Sequence, residues 1–388
     1  MRGFFLPMSL NVLPALPEVR QPRAIVKVTG AAVNGVYPPA VIVPWESWSV
    51  DNNTFYQADT FRVSIASSVL PAAVSVDWFS SQSEAFIEIL AGFPADALNY
   101  TEADLDSLIY GRIDDVEYDP VSTRLSLTGR DLTAVFIDAK TTIQYQNLTS
   151  SQVAAQLAAS HGLSVSGPAT STLVGNMYAR DHVSMTDQRS EWDLLTWLAQ
   201  QEGFACYVTG KTLNFGPRPP APPEPYELRW EIDENGNPSA NVKDLRVSRS
   251  LTVAKGVTVV VRSWNAKQKK GFVAYYPSKG KGTQAGKASP FGNTQIYTIV
   301  RGGLDQASAL ALAQKTHKEI TQHEMKLRAR LPADNILTQT ATVRLTGTGT
   351  KFDQDYYVDG ITRSMSLDEG YAMDVSAKNV NPESVPSL

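Results

Sequence analysis

Short runs in which apolar and polar residues alternate constrain this fold more than any other feature of the chain. AIVKVTG (24–30), ESWSV (46–50), TFRVSIA (60–66) and EAFIEIL (84–90) each repeat with period two, and β-branched or aromatic residues fill most apolar positions. Half-buried antiparallel strands have this pattern, because successive side chains point to opposite faces. LIYGRIDDVEYD (108–119) continues the alternation, Asp119-Pro120 interrupts it, and TRLSLTGRD (123–131) resumes it, which predicts a hairpin. Residues 20–140 therefore read as a small β-barrel or sandwich.

The texture then changes. TSSQVAAQLAASHG (149–162) and SEWDLLTWLAQQEG (190–203) both open on a hydroxyl residue, place Leu and Ala at helical spacing and stop at Gly. They are expected to be helices, the second capped by Ser190 and ended by Gly203. FACYVTGKTLNFG (204–216) predicts two short strands around Gly210, and PRPPAPPEP (217–225) a stiff linker or crossover. Strands are expected again at 242–251 and 256–264, where VTVVV has the look of a fully buried strand. SKGKGTQAGKASPFGN (278–293) reads as a basic loop. The longest helix is expected over 304–330, with Leu310, Ala313, His317 and Ile320 on one stripe, and strands at 338–346, 356–366 and 371–377 close the chain. The class is α+β, mainly β. An internal echo links DDVEYDPVSTRLSLTGRD, from Asp114, with DGITRSMSLDEGYAMDVSAKN, from Asp359.

Charge is distributed unevenly. Residues 245–304 hold eleven Lys and Arg and no Asp or Glu, in a chain of net charge −4. Residues 84–138 hold twelve acids against Arg112, Arg124 and Arg130. Such separation bears on association more than on folding. Two partners satisfy the basic segment: the phosphates of a nucleic acid, or an acidic protein surface, including the acidic region of a second copy.

At 388 residues the chain exceeds what one core usually serves, so two to four domains are expected. Cys206 is the only cysteine, which excludes an intramolecular disulfide and a multi-cysteine zinc site. Pro7, Pro14 and Pro17 break the apolar stretch that a cleaved signal requires, and no apolar run approaches the roughly 18–20 residues of a spanning helix. Membrane insertion is not expected. His317 and His323 lie six apart and so project to different faces of a helix rather than sharing a metal. His161 suits a helix end, where a cation meets the dipole. GKGTQAGKAS (280–289) lacks phosphate-loop spacing, and Ala288 replaces the hydroxyl that magnesium needs. Cys206, within FACYV, reads as a buried strand thiol. Asp114-Asp115 and Glu191 with Asp193 are conceivable acid/base pairs for glycan cleavage, and Trp192 and Trp197 could stack on sugar, but solvated charge and core packing explain them more simply. No catalytic residue, cofactor or metal is expected.

The order of three runs is familiar: Tyr110–Thr141 with Gly129, Arg130, Asp131 and Thr133; a helix ending His161-Gly162-Leu163; and Trp192 to Gly203-Phe204 at the head of a strand. It resembles the baseplate hub proteins of contractile phage tails, the late control protein D-like family. Towards the C-terminus the pattern departs, with Arg363 and Ser364 where the family usually has glycines and a histidine. The resemblance implies two tail-tube-like β-barrel domains with an inserted α/β region, assembled as a homotrimeric ring whose three copies offer pseudo-sixfold symmetry to a hexameric tail tube. The expected division is an extension (1–23), a first barrel (24–140), an inserted α+β domain (141–232), a second barrel with the basic loop and long helix (233–380) and a tail (381–388). The implied role is an adaptor in the virion tail baseplate, made in the bacterial host cytoplasm. It would join the tube protein to a trimeric spike protein, meet tape measure and baseplate wedge proteins, and let DNA pass in transit. Within such a ring the acids Asp114, Asp115 and Glu117 of one subunit are expected to meet Lys267, Lys269, Lys270, Lys279, Lys281 and Lys287 of the next; the rival placement of these lysines is the DNA-conducting lumen. A tail-associated cell-wall hydrolase or glycan-binding module is the alternative of a different class, and a type VI secretion spike hub a third reading.

Overall fold

The computed structural model describes residues 21–53, 55–141, 145, 147–171, 189–232, 235–251, 257–265, 270–277, 295–321 and 325–379. The chain divides into two compact units: Met1–Ala221 with Pro332–Gln339 and Gly360–Asp374, and Pro222–Leu331 with Thr340–Asp359 and Val375–Leu388.

In the first unit the alternating runs are strands: β1 (Arg23–Gly30), β2 (Val41–Val43), β3 (Ser47–Asn53), β4 (Thr60–Ala66), β5 (Ala85–Gly92), β6 (Asp106–Asp119) and β7 (Arg124–Asp131). Their antiparallel order is β2-β1-β5-β6-β7-β4-β3, and β3 pairs further with residues 360–366. In β1 every second residue is buried, and in β4 Phe61, Val63 and Ile65 point inward. The Asp119 carboxylate accepts from the amides of Val121 (2.8 Å) and Ser122 (3.3 Å), which makes the predicted β6–β7 turn. The pairings form an open path rather than the expected closed barrel. Among the described residues β2 is three residues long and pairs with β1 alone, so no strand returns to seal the ring.

The inserted α/β region follows β7. It comprises a helix at Thr133–Asp138, β8 (Lys140–Thr141), a helix at Ser150–Ser160, β9 (Ser164–Ser166), β10 (Arg189–Ser190), a helix at Glu191–Glu202, β11 (Phe204–Thr209) and β12 (Thr212–Pro217). The caps act as the sequence requires. Thr149 and Ser190 each form a capping box, and Gly203 ends its helix at φ 70°, a left-handed conformation open to glycine at little cost. Phe136, Leu157, Leu195, Leu198, Leu213 and Phe215 form the core of this region.

The second unit contains β13 (Tyr226–Ile232), β14 (Pro238–Ala240), β15 (Asp244–Arg249), β16 (Val257–Asn265), β17 (Lys270–Tyr276), β18 (Gln295–Val300), β19 (Met325–Pro332) and β20 (Thr342–Thr346). The last two strands, β21 (Asp355–Ser366) and β22 (Gly370–Lys378), give part of their length to each unit. β13 lies parallel to β20, where a repeat of the first sheet would be antiparallel. β17, β16 and β18 form a separate layer, one face of which packs on the helix Gln306–Thr321.

That helix is shorter than expected. Residues 325–332 are a strand, paired antiparallel with β15 and buried at every second position as far as Leu331. MKLRARLP satisfies a period of two as well as it suits a helix, and the pairing with β15 decides between them. The buried stripe also shifts by one residue, to Ala309, Ala313 and His317, and leaves Leu310 exposed. His317 is enclosed, with Nε2 3.1 Å from the Val257 carbonyl oxygen.

Candidate functional site

Gly129, Arg130, Asp131 and Thr133 form the joint between the first sheet and the inserted region. Gly129 on β7 and Gly111 on β6 lie under the Phe61 ring. A Cβ at Gly129 would stand 2.0 Å from the Arg112 carbonyl oxygen and 2.6 Å from that ring, so only glycine allows this approach. Arg130 and Arg112 project together and share two carboxylates. Arg130 Nε donates to Asp114 (2.6 Å) and its Nη2 to Asp138 (3.2 Å), while Arg112 bonds both Asp114 (3.1 Å) and Asp138. Asp138 ends the first helix of the insert, so the network runs from sheet to helix. The hydrogen bonds to Asp114 and Asp138 hold the Arg130 guanidinium above its ordinary pKa.

Asp131 ends β7 at 6 % exposure and accepts from the Thr133 amide and hydroxyl, each at 3.1 Å. Burial, reinforced by the nearby charge of Asp59, pushes its carboxyl up to about 8. Burial likewise pushes Asp59 up to about 6, against hydrogen bonds from Asn52 and the Asn53 amide. The loop before Asp59 carries Tyr56, held at φ 80°. Its hydroxyl donates to the Phe204 carbonyl, its amide to the Cys206 carbonyl (3.2 Å), and its own carbonyl accepts from Trp192 Nε1 (3.1 Å). Lys211, at the turn between β11 and β12, adds a second clasp, lying 4.6 Å from the Tyr37 ring centroid and 5.2 Å from that of Tyr110. The motif residues thus hold the insert to the sheet.

Beside this joint lies a cleft of about 550 Å³, lined among others by Asp59, Asp106, Tyr110, Asp131, Asn335 and Arg363. Arg363, where the sequence departs from the hub pattern, is 5 % exposed. It donates to the carbonyls of Asp334 (2.9 Å) and Leu337 (2.6 Å) and to Asn52 Oδ1 (3.2 Å), so it fixes the 334–337 turn from inside the unit.

The residues expected to act in catalysis or association separate into different roles. Glu191 lies 2.6 Å from His161 Nε2, and Asp193 is spent in the Ser190 capping box, so the two do not flank a common point. Trp192 is buried. Cys206 is fully buried, and burial pushes its thiol up to about 12. Among the described residues no cluster of His, Cys, Asp or Glu could hold a metal, and no helix is long and apolar enough to cross a membrane. Of the interface residues, Asp114 is engaged within its own chain, at a register shift between Ile113 and Asp115. Asp115 and Glu117 stay exposed, as does Lys270, whose Nζ is 5.7 Å from the Phe272 ring centroid. Lys267, Lys269, Lys279, Lys281 and Lys287 lie outside the described residues, as does the 280–289 segment. The Arg112–Asp114–Arg130–Asp138 network and the Asp59–Asp131 pair had no local signal in the sequence beyond Gly129 and Gly111.

No family model matches this chain, and no curated protein does. Its fold, however, is that of known tail proteins. The tail protein of Neisseria meningitidis MC58 superposes with a TM-score of 0.63 at 17 % identity, over 92 % of this chain and 96 % of that one. The 43 kDa tail protein of prophage MuSo2 from Shewanella oneidensis gives 0.61 at 14 % identity, over 93 % and 99 %. A prophage tail protein from Listeria monocytogenes EGD-e gives 0.55 at 9 % identity, over 92 % and 94 %.

Proposed function

We propose that this chain is a structural component of a phage tail or tail-like particle, the baseplate hub that joins tail tube to central spike. The observation that carries the reading is likeness of fold end to end: three tail proteins match it over at least 92 % of its length and 94 % of theirs. Similarity this complete describes one architecture rather than a shared module. The role follows from assembly. As a homotrimer it presents threefold symmetry to a trimeric spike protein and, through its two units, approximate sixfold symmetry to a hexameric tube, with the tape measure and wedge proteins as further neighbours. The centre of the ring is then part of the channel through which DNA leaves. The described residues support action through shape, since the carboxylates that might have served glycan cleavage are committed to a helix cap and to His161.

The test is the mass of the purified chain in solution at low and high salt. A trimer that loosens as salt rises fits a ring with charged contacts. A monomer under all conditions, also in the presence of spike and tube proteins, sinks the hub reading. Peptidoglycan release by the purified chain would instead establish the hydrolase.

A further inference from the structure

The layer of β17, β16 and β18 has one covered face and one open face. On the covered side Val257, Val259, Val261 and Ala274 meet Ala309 and Ala313 of the Gln306–Thr321 helix. Strand alternation sends Val260, Arg262 and Trp264 to the other side. The register sets Arg262 between Val273 of β17 and Val300 of β18, and Thr258 beside Ile296. Trp264 is 61 % exposed, Ile296 68 % and Val300 79 %. The Trp264 ring lies across Gly271, whose added Cβ would meet it at 3.6 Å. An exposed tryptophan beside aliphatic residues and an arginine is the composition of an interface centre, and leaving it in water is costly. No Asp or Glu occurs in residues 245–304, so the neighbourhood favours an occupant that is apolar and acidic.

The β6–β7 hairpin answers that description. β5 pairs with β6 only as far as Arg112, so among the described residues 113–119 have a strand on one side only. Val116 and Tyr118 stand opposite Leu127 and Leu125, which are buried, yet are themselves 41 % and 42 % exposed; Val121 at the turn is 93 % exposed. Asp115 and Glu117 alternate with them and form no ion pair among the described residues. We propose that the open face around Trp264 receives residues 115–121 of the hairpin of a second copy of this chain, with Glu117 and Asp115 towards Arg262. The two patches differ, so the contact is head-to-tail and closes only as a ring, which makes this inference rest on the trimeric reading above. About six side chains on each side cover less than the roughly 800 Å² per partner of a standard interface. The contact therefore fixes register within a larger interface.

The experiment uses the full chain carrying Val116→Cys and Val300→Cys together, oxidised at a concentration where mass measurement shows the trimer. Cys206 is buried and does not compete. A ladder of covalent dimer and trimer, absent from each single variant, is the expected result. A trimer that gives no ladder, or only an intrachain bond, overturns this contact while leaving the trimer intact; a monomer overturns both. As a second arm, Arg262→Glu is expected to weaken assembly about tenfold, the loss of one interface anchor, with an unchanged melting temperature because the site is exposed. Glu117→Arg added to it restores assembly. Unchanged assembly in Arg262→Glu, or no recovery in the double variant, also overturns the proposal.

Discussion

Asp131 has a carboxyl that is worth more to the fold protonated than ionised, which reverses the usual effect of a native acid. Its folded value of about 8 lies above the ordinary 3.8, so between those limits the folded chain retains a proton that the unfolded chain releases. Stability accordingly falls as pH rises from about 4 to about 8, and below pH 4 the difference vanishes. Asp59 adds the same slope over a narrower window, ending near 6. Asp131→Asn keeps an acceptor for the Thr133 amide and cannot ionise. It is therefore expected to raise the melting temperature at pH 8, to have little effect at pH 4, and to flatten the profile between them; a thermal scan from pH 4 to 9 reads this directly. An unchanged profile means that Asp131 is ionised in the folded state. Two residues earlier the constraint is steric. Gly129→Ala must move the Arg112 carbonyl or the Phe61 ring, and an overpacking cost of about 3 kcal/mol is expected, seen as a lower urea midpoint with no change in slope.

At the level of elements, the insert owes its stability to its own core and its position to a few bonds. Phe136→Ala opens a cavity among Leu132, Trp192 and Leu195 and should cost about 3–5 kcal/mol in urea unfolding followed by tryptophan fluorescence. Tyr56→Phe removes one donor to the Phe204 carbonyl and should cost about 1 kcal/mol, with the sheet itself unaffected. Much of this level could be read in the sequence. Period-two runs gave β1, β3, β4 and the β6–β7 hairpin, and Thr149, Ser190 and Gly203 marked helix ends because a cap acts within one turn of its helix. Residues 325–332 were misread, because MKLRARLP fits either period and its strand partner, residues 244–249, is some eighty residues earlier. The site was legible only as a motif. That Asp114 faces Arg130 follows from a register shift at Ile113, and that Asp138 joins them follows from the turn into a helix; neither is a property of local composition. The pairing of Asp59 with Asp131 and the internal position of Arg363 depend on strands distant in sequence, so their carboxylate and guanidinium groups looked like ordinary surface charge.

Over the whole molecule the cores are unequal, and that inequality predicts the order in which the chain opens. Among the described residues the insert gathers a cluster of 18 buried side chains, including Trp192, Phe136 and Phe215, whereas the β16–β18 layer and its helix share six, none larger than valine. Apolar burial near 25 cal/mol per Å² makes the smaller cluster the weaker unit, and local opening follows local burial. In the isolated chain, amide hydrogen exchange should therefore be faster in residues 257–276 and 306–321 than in 150–160 and 191–209. The open face of that same layer adds a second expectation. A hairpin laid over Trp264 and Val300 shields strands that otherwise have water on one side, so exchange in 257–264 should slow once the ring forms, with Arg262→Glu abolishing the slowing. The isolated chain tests the unequal cores alone. If residues 257–264 are already as protected there as 191–209, the layer is stable by itself and its exposed tryptophan needs no partner to account for it; if they gain protection only on assembly, that layer owes part of its order to the neighbouring subunit.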